Sequence, residues 1–196
     1  MNYPNGIKKS QNKINTLSDN DKNINYKNRG MTLEKMLNDT NKYYCDTLKA
    51  FVYKKPTPIK LVKVNYKEKR IDEAYFDKPS TTDYNGLYKG KYIDFEAKET
   101  NNLKDFPIAN IHAHQLAYMR NIMNAKGICF LIVRWVKLNR VYLLMTKDLF
   151  AYLDNVKSSK IPLTYFEEKG YLIKEKFIPC LDYLEIIDKI GGLYEK

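Results

Sequence analysis

The apolar run at residues 127–133, Gly-Ile-Cys-Phe-Leu-Ile-Val, constrains the fold more than any other stretch of the chain. It has no polar alternation, so a strand formed there must be covered on both faces. Residues 141–145, Val-Tyr-Leu-Leu-Met, predict a partner strand. The pattern indicates an α/β fold in which helices flank a central sheet. Helices are predicted at residues 33–48, 108–125, 147–153 and 183–190, further strands at 51–53 and 171–178, and a loop at 101–107.

A β-hairpin is predicted at residues 81–98, Thr-Thr-Asp-Tyr-Asn-Gly-Leu-Tyr-Lys-Gly-Lys-Tyr-Ile-Asp-Phe-Glu-Ala-Lys. With Lys89-Gly90 as its two-residue turn, Asp83 lies directly across from Glu96, about 4.5–5.5 Å away at Cβ. Alternation places Asp94, Glu96 and Lys98 on one face of the second strand, and the apolar side chains between them on the core face.

The hairpin has a competing register. Asn85-Gly86 is intrinsically the better two-residue turn, because both residues tolerate positive φ. A turn there would place Asp83 opposite Tyr88 instead. We favour Lys89-Gly90 because it gives strands of similar length and one charged face, and Asn85-Gly86 is then expected to form a bulge.

Asp83 and Glu96 are candidate ligands for Mg²⁺, which prefers oxygen ligands and keeps several waters. Two such ions can activate a water and stabilise the charge on a transferring phosphoryl group. Lys98, on the same face as Glu96, can reach the same phosphate. Thr81 can add a hydroxyl or a backbone oxygen. These residues predict metal-dependent hydrolysis of phosphodiesters; the alternative is a salt-bridged face of an exposed hairpin.

Two further polar residues have a structural and a functional interpretation. Glu34 follows the predicted N-cap Thr32, in a first helical turn where a carboxylate favours the helix dipole. Its second interpretation is an accessory acid at the edge of the metal site. Gln115 borders an apolar helical stripe, so it is either a hydrogen-bonded core residue or the donor of an amide oxygen to the metal.

The formal net charge of +11 over 196 residues favours a polyanionic partner. Seventeen tyrosines among the lysines favour nucleic acid in particular. The alternative is a lysine-rich proteome in which the charge only aids solubility. No apolar run is long enough to span a membrane, and no signal-peptide core is present, so a cytoplasmic protein is expected. Three widely spaced cysteines make disulfides and a zinc site improbable.

The chain divides into a disordered basic arm at residues 1–28 and a single domain at 29–196. Within the domain, residues 57–80 form an insertion ahead of the hairpin. From Lys54 to Arg70, seven basic residues stand against one acid. Basic side chains beside aromatics suit phosphate contact and base stacking. The alternative is a solvated β-ribbon whose charges keep a strand edge soluble. The candidate DNA contacts are Lys54, Lys55, Arg70, Tyr75 and Phe76.

Residues 29–34, 54–58, 73–86 and 92–100 resemble the RecU family of Holliday junction resolvases, within the PD-(D/E)xK nucleases. The resemblance runs from about residue 28 through nearly the whole chain. It implies a restriction-endonuclease-like core with a mixed central sheet and a protruding stalk at about 57–80. It also implies a homodimer that nicks four-way DNA junctions at paired positions during recombination and repair, with Mg²⁺ as cofactor and Mn²⁺ as a substitute.

The resemblance also implies roles for single residues. Thr81, Asp83, Glu96 and Gln115 would bind the metal, and Lys98 would stabilise the transition state. Arg29 matches a basic position of the family implicated in DNA contact, and Tyr75 and Phe76 fall in the aromatic part of the stalk. Pro79 stands four residues before Asp83 instead of beside it.

The RecA-type recombinase and the branch-migration helicase are implied partners, and no membrane partner is expected. Two alternative functions stay open at this point. One is a nuclease of the same fold acting on ordinary duplexes in restriction or repair. The other is a non-catalytic DNA-binding regulator of the recombinase.

Overall fold

The computed structural model describes residues 30–76 and 81–191. Its α-helices are α1 (Leu33–Asp46), α2 (Ala113–Asn124), α3 (Thr146–Asn155), α4 (Leu163–Lys169) and α5 (Tyr183–Gly191). Single 3₁₀ turns lie at Ile108–Asn110 and Val136–Leu138. The strands are β1 (Phe51–Lys54), β2 (Ile59–Asn65), β3 (Arg70–Phe76), β4 (Tyr84–Tyr88), β5 (Lys91–Thr100), β6 (Asp105–Pro107), β7 (Ile128–Trp135), β8 (Arg140–Met145), β9 (Lys160–Pro162) and β10 (Tyr171–Ile173).

Six strands form the central sheet, in the order β1-β4-β5-β7-β8-β10. β5 and β7 run parallel, while the other neighbours pair antiparallel. A parallel pair needs a crossover connection, and α2 provides it between β5 and β7. The predicted α/β class with a mixed central sheet is therefore confirmed.

Helices cover both faces of this sheet. On one face, α1 and α5 enclose a stack of aromatic rings in which Tyr84, Phe95 and Phe130 follow one another at centroid distances of 4.8 Å. On the other face, α2, α3 and α4 pack over a cluster that includes Leu131 and Trp135. Residues 129–133 of the apolar run are accordingly buried, since β7 lies between the two clusters.

The β4–β5 hairpin turns at Lys89-Gly90, as predicted, with both residues at positive φ. The expected bulge at Asn85-Gly86 is wrong, because both residues pair with β5 in regular register. Gly86 is explained instead by its other neighbour, β1. A Cβ there would lie 2.0 Å from the carbonyl oxygen of Phe51, so only glycine fits.

β2 and β3 form a separate two-stranded sheet, as expected for the insertion. Side chains on both of its faces are largely exposed. Phe76, the last residue of β3, is 79% exposed. The predicted protruding ribbon is thus confirmed for residues 59–76, while residues 77–80 lie outside the described part of the chain.

Three local predictions were wrong. The helix predicted from residue 108 breaks after Ile108–Asn110, and α2 begins only after His112, whose backbone N–H bonds the Gln115 side chain. The strand predicted at 171–178 ends at Ile173, because beyond it only Glu175 bridges to Leu181. The loop predicted at 101–107 includes β6, which pairs with β9. Within residues 30–76 and 81–191, no helix has the length and apolar character needed to cross a bilayer.

Candidate active site

Two carboxylates meet where the β4–β5 ladder opens. The last paired residues are Tyr84 and Phe95, so the next N–H groups lack ladder partners. The Asp83 N–H donates to Glu96 Oε2 at 3.2 Å, and the Ala97 N–H donates to Asp83 Oδ2 at 3.2 Å. Each carboxylate thus caps the main chain of the opposite strand, and the two acids lie face to face in the predicted register.

Glu96 is 0% exposed, because α2 covers its face of the sheet. Burial raises the pKa of its carboxyl to about 8, with a further contribution from the neighbouring Asp83 charge. The Lys98 ammonium, 2.5 Å from Glu96 Oε1, opposes that rise in pKa. Asp94 on the same face is also 0% exposed, which rules out the alternative of an exposed, salt-bridged hairpin.

Gln115 reaches this site from the first turn of α2. Its Nε2 donates to Glu96 Oε1 at 2.8 Å, while its Oε1 accepts the His112 N–H at 3.0 Å. The amide nitrogen therefore faces the carboxylates, and the oxygen caps the helix. A metal-binding role for Gln115 would require the amide to turn over, so that role stays a prediction.

The chemistry of the donor set suits a hard divalent cation. Asp83 and Glu96 supply oxygen ligands of negative charge, and the Lys98 ammonium is the cation in contact with Glu96. No group of three or more His, Cys, Asp or Glu side chains in the described ranges is arranged to hold a metal. A cation here would complete its coordination with neutral oxygens and water, a mode that Mg²⁺ adopts readily.

Asp83 and Lys98 open into a cleft of about 360 Å³ between the start of α1 and the hairpin. Glu34 and Lys54 line its mouth and form an ion pair at 2.6 Å, with both side chains about half exposed. Glu34 thus lies in the same cleft as Asp83, and the Lys54 side chain is 41% exposed there.

Lys55 has a different environment from Lys54. Its ammonium lies 2.7 Å from Asp94 Oδ2 and contacts the hydroxyls of Thr81 and Thr82, and its side chain is only 12% exposed. The predicted DNA contact by Lys55 does not fit this environment, because its ammonium is already paired with Asp94 inside the protein.

Among the other predicted DNA contacts, Arg70 pairs with Glu68 and Asp72 at the tip of the ribbon, which offsets its charge locally. Tyr75 and Phe76 are exposed. Arg29 and the predicted arm at residues 1–28 lie outside the described residues.

Sequence reasoning assigned no role to Glu99. Its Oε1 accepts the Leu33 N–H at 2.9 Å and lies 3.2 Å from Arg134 Nη1. The Glu99 carboxylate thereby fixes the first turn of α1 beside the cleft. An arginine inside the otherwise apolar β7 was the available signal, since a buried guanidinium requires an acidic partner.

Comparisons with known proteins give a family and several relatives of similar length. The family described as Recombination protein U matches residues 28–189. Proteins named Holliday junction resolvase RecU are 47% identical in Pediococcus pentosaceus, over 97% of both chains, and 44% identical in Streptococcus thermophilus, over 98% of both. The one from Staphylococcus epidermidis is 46% identical over 97% of this chain and 96% of its own.

Among solved structures, Archaeoglobus fulgidus Hjc, a Holliday junction resolvase, aligns with 66% of this chain and 92% of its own. The TM-score is 0.37 and the sequence identity 10%, values too low to support an inference.

Proposed function

The chain belongs to the Recombination protein U family, and from this premise we propose that it is a Holliday junction-resolving endonuclease. It cuts a four-way DNA junction by paired nicks with Mg²⁺ as cofactor. The observation that carries this proposal is the meeting of Asp83 and Glu96 at the open end of the hairpin, beside Lys98, where Asp83 and Lys98 line an accessible cleft.

Asp83 and Glu96 would hold the metal, with Thr81 as a further oxygen donor. Gln115 would become one if its amide turned over, which would exchange its Nε2 bond to Glu96 for an oxygen ligand. The bound cation supplies electrophilic stabilisation of the phosphate and a water of lowered pKa. The Lys98 side chain is 22% exposed and lines the cleft, so its ammonium can donate to a phosphate oxygen while still contacting Glu96. Gln115 holds the Glu96 side chain in place through its Nε2. Glu34, at the mouth of the cleft, would act as an accessory acid.

The DNA surface in this proposal has two parts. Lys54 and the excess positive charge of the chain attract the phosphate backbone near the cleft. The exposed rings of Tyr75 and Phe76 at the base of the β2–β3 ribbon suit stacking on the unpaired bases of an opened junction. Arg29 would add a contact from outside the described residues.

Paired nicks at symmetric positions require two active sites, which a homodimer supplies. We extend the proposal to that assembly, and to cooperation with the RecA-type recombinase and the branch-migration helicase in the cytoplasm.

The test compares a four-way junction with a linear duplex of matched sequence in Mg²⁺. We expect paired cuts in the junction, little cutting of the duplex, and loss of cutting but not of junction binding in Asp83→Asn. Asp39→Asn, an exposed acid on α1 paired with Lys35, is the control and should cut normally. Equal cutting of both substrates would favour a duplex nuclease. Failure to cut any DNA in Mg²⁺ or Mn²⁺ would favour the non-catalytic regulator.

A further inference from the structure

A buried polar network lies directly behind the two carboxylates. Its centre is the ion pair between Lys55 and Asp94, whose side chains are 12% and 0% exposed. The Thr82 hydroxyl contacts both partners, and the Tyr92 hydroxyl donates to Asp94 Oδ2 at 2.9 Å. The ring of Tyr118, from α2, covers the Lys55 ammonium at 4.7 Å from the ring centroid.

Lys55 contacts residues 81–83 through both its side chain and its main chain. Its ammonium lies 3.0 Å from Thr81 Oγ1 and 2.7 Å from Thr82 Oγ1. Its backbone N–H donates to the Asp83 carbonyl at 2.8 Å, which continues the β1–β4 pairing by one residue. Residues 81–83 belong to no strand, so these contacts restrain the segment together with the two bonds that join Asp83 to Glu96 and Ala97.

The same contacts bear on Thr81 as a ligand. An ammonium 3.0 Å from the Thr81 hydroxyl disfavours a divalent cation on that oxygen, because the two positive charges would lie close together. The remaining oxygen of Thr81 is its main-chain carbonyl. Thr81 would therefore contribute its carbonyl, while its hydroxyl keeps the segment attached to Lys55.

We propose that Lys55 is a positioning residue of the metal site, which holds the Thr81–Asp83 segment so that the Asp83 carboxylate faces Glu96. Asp94 balances its charge, so the restraint operates without placing an uncompensated cation beside the metal. The proposal rests on the proposed function, since it assumes that Asp83 and Glu96 bind a divalent cation.

The test measures Mn²⁺ binding by calorimetry in the absence of DNA. The variant Lys55→Met/Asp94→Asn removes both charges together, which avoids leaving one of them buried and unpaired. We expect it to fold, to bind junction DNA as the wild type does without metal, and to bind Mn²⁺ about 10–100-fold more weakly, as is typical when a partner of a metal ligand is lost.

The matched control is Lys49→Met/Asp182→Asn. This lysine–aspartate pair, 3.2 Å apart, also bonds a tyrosine hydroxyl but joins the ends of α1 and α5 away from the cleft. It should lower stability and leave Mn²⁺ affinity unchanged. A purely structural role for Lys55 predicts the same behaviour for both double variants.

A folded Lys55→Met/Asp94→Asn protein with wild-type Mn²⁺ affinity would overturn the proposal. If that variant does not fold, Thr82→Val provides the test, since valine keeps the shape of threonine and removes only the hydroxyl. An unchanged Mn²⁺ affinity of Thr82→Val would equally overturn the proposal. If the wild type shows no Mn²⁺ binding that Asp83→Asn abolishes, the proposed function itself fails.

Discussion

Replacing Glu96 with glutamine should change how the stability of the metal-free protein depends on pH. The Glu96 carboxyl is buried beside Asp83, and its pKa rises from an ordinary value of 4.5 to about 8. Between these two pH values the folded protein retains a proton that the unfolded chain has released. The contribution of Glu96 to stability therefore falls as pH rises through this window and is constant on either side of it.

The size of the effect follows from the same values. At about 1.4 kcal/mol for each pH unit, the interval from 4.5 to about 8 corresponds to about 5 kcal/mol. Glutamine keeps the shape and does not titrate. The free energy of unfolding of Glu96→Gln, relative to the wild type, should therefore increase by about 5 kcal/mol across this window.

The assay is urea denaturation in EDTA at half-unit steps from pH 4 to 9, for the wild type and the variant. Glu34→Gln is the control, because Glu34 lies in the same cleft but is exposed and paired with Lys54. It should shift the free energy of unfolding by no more than about 1 kcal/mol at any pH. A Glu96→Gln difference that stays flat across the window would refute the account of a buried, charge-crowded carboxyl.

Three further predictions follow from individual contacts. Lys55→Met should lower the free energy of unfolding by about 3–5 kcal/mol, because it leaves the Asp94 charge buried without its cationic partner. Lys54→Met should lower it by no more than about 1 kcal/mol. Urea denaturation measures both values, and equal losses would contradict the prediction. Thr81→Ala should weaken Mn²⁺ binding by less than the about 10–100-fold expected of Lys55→Met/Asp94→Asn, because the carbonyl and the Lys55 bond to Thr82 remain. A loss as large as that of Asp83→Asn, by calorimetry, would contradict it. Phe76→Ala should weaken binding of a four-way junction by about 1–3 kcal/mol and leave duplex binding nearly unchanged in a gel-shift titration; equal losses would remove its stacking role.

The hairpin and its facing acids could be predicted because their determinants are local. The Lys89-Gly90 turn could be chosen because it gives strands of similar length and one charged face, and the alternation of β5 then fixes which side chains face Asp83. The helix cap at Thr32 was predictable for the same reason, since its hydroxyl bonds the Lys35 N–H within one turn.

The errors came from contacts that are distant in sequence. Gly86 was assigned to a bulge because its neighbour β1 could not be foreseen from the hairpin alone. Lys54 and Lys55 are adjacent and identical in type, yet only Lys55 meets Asp94, 39 residues away. The available signal was Asp94 itself, an acid between two buried apolar residues, which requires a partner.

The shortest elements also escaped prediction. β6 and β9 have three residues each, too few for a period to show, and they pair across more than fifty residues of chain. α4 follows β9 after no intervening loop and has only seven residues.

The most direct test of the central claim is anomalous scattering from crystals soaked in Mn²⁺. The account predicts a peak in the cleft within about 2.1 Å of a carboxylate oxygen of both Asp83 and Glu96, and no such peak in Asp83→Asn crystals. A peak bound by other residues, or none at saturating Mn²⁺, would contradict it.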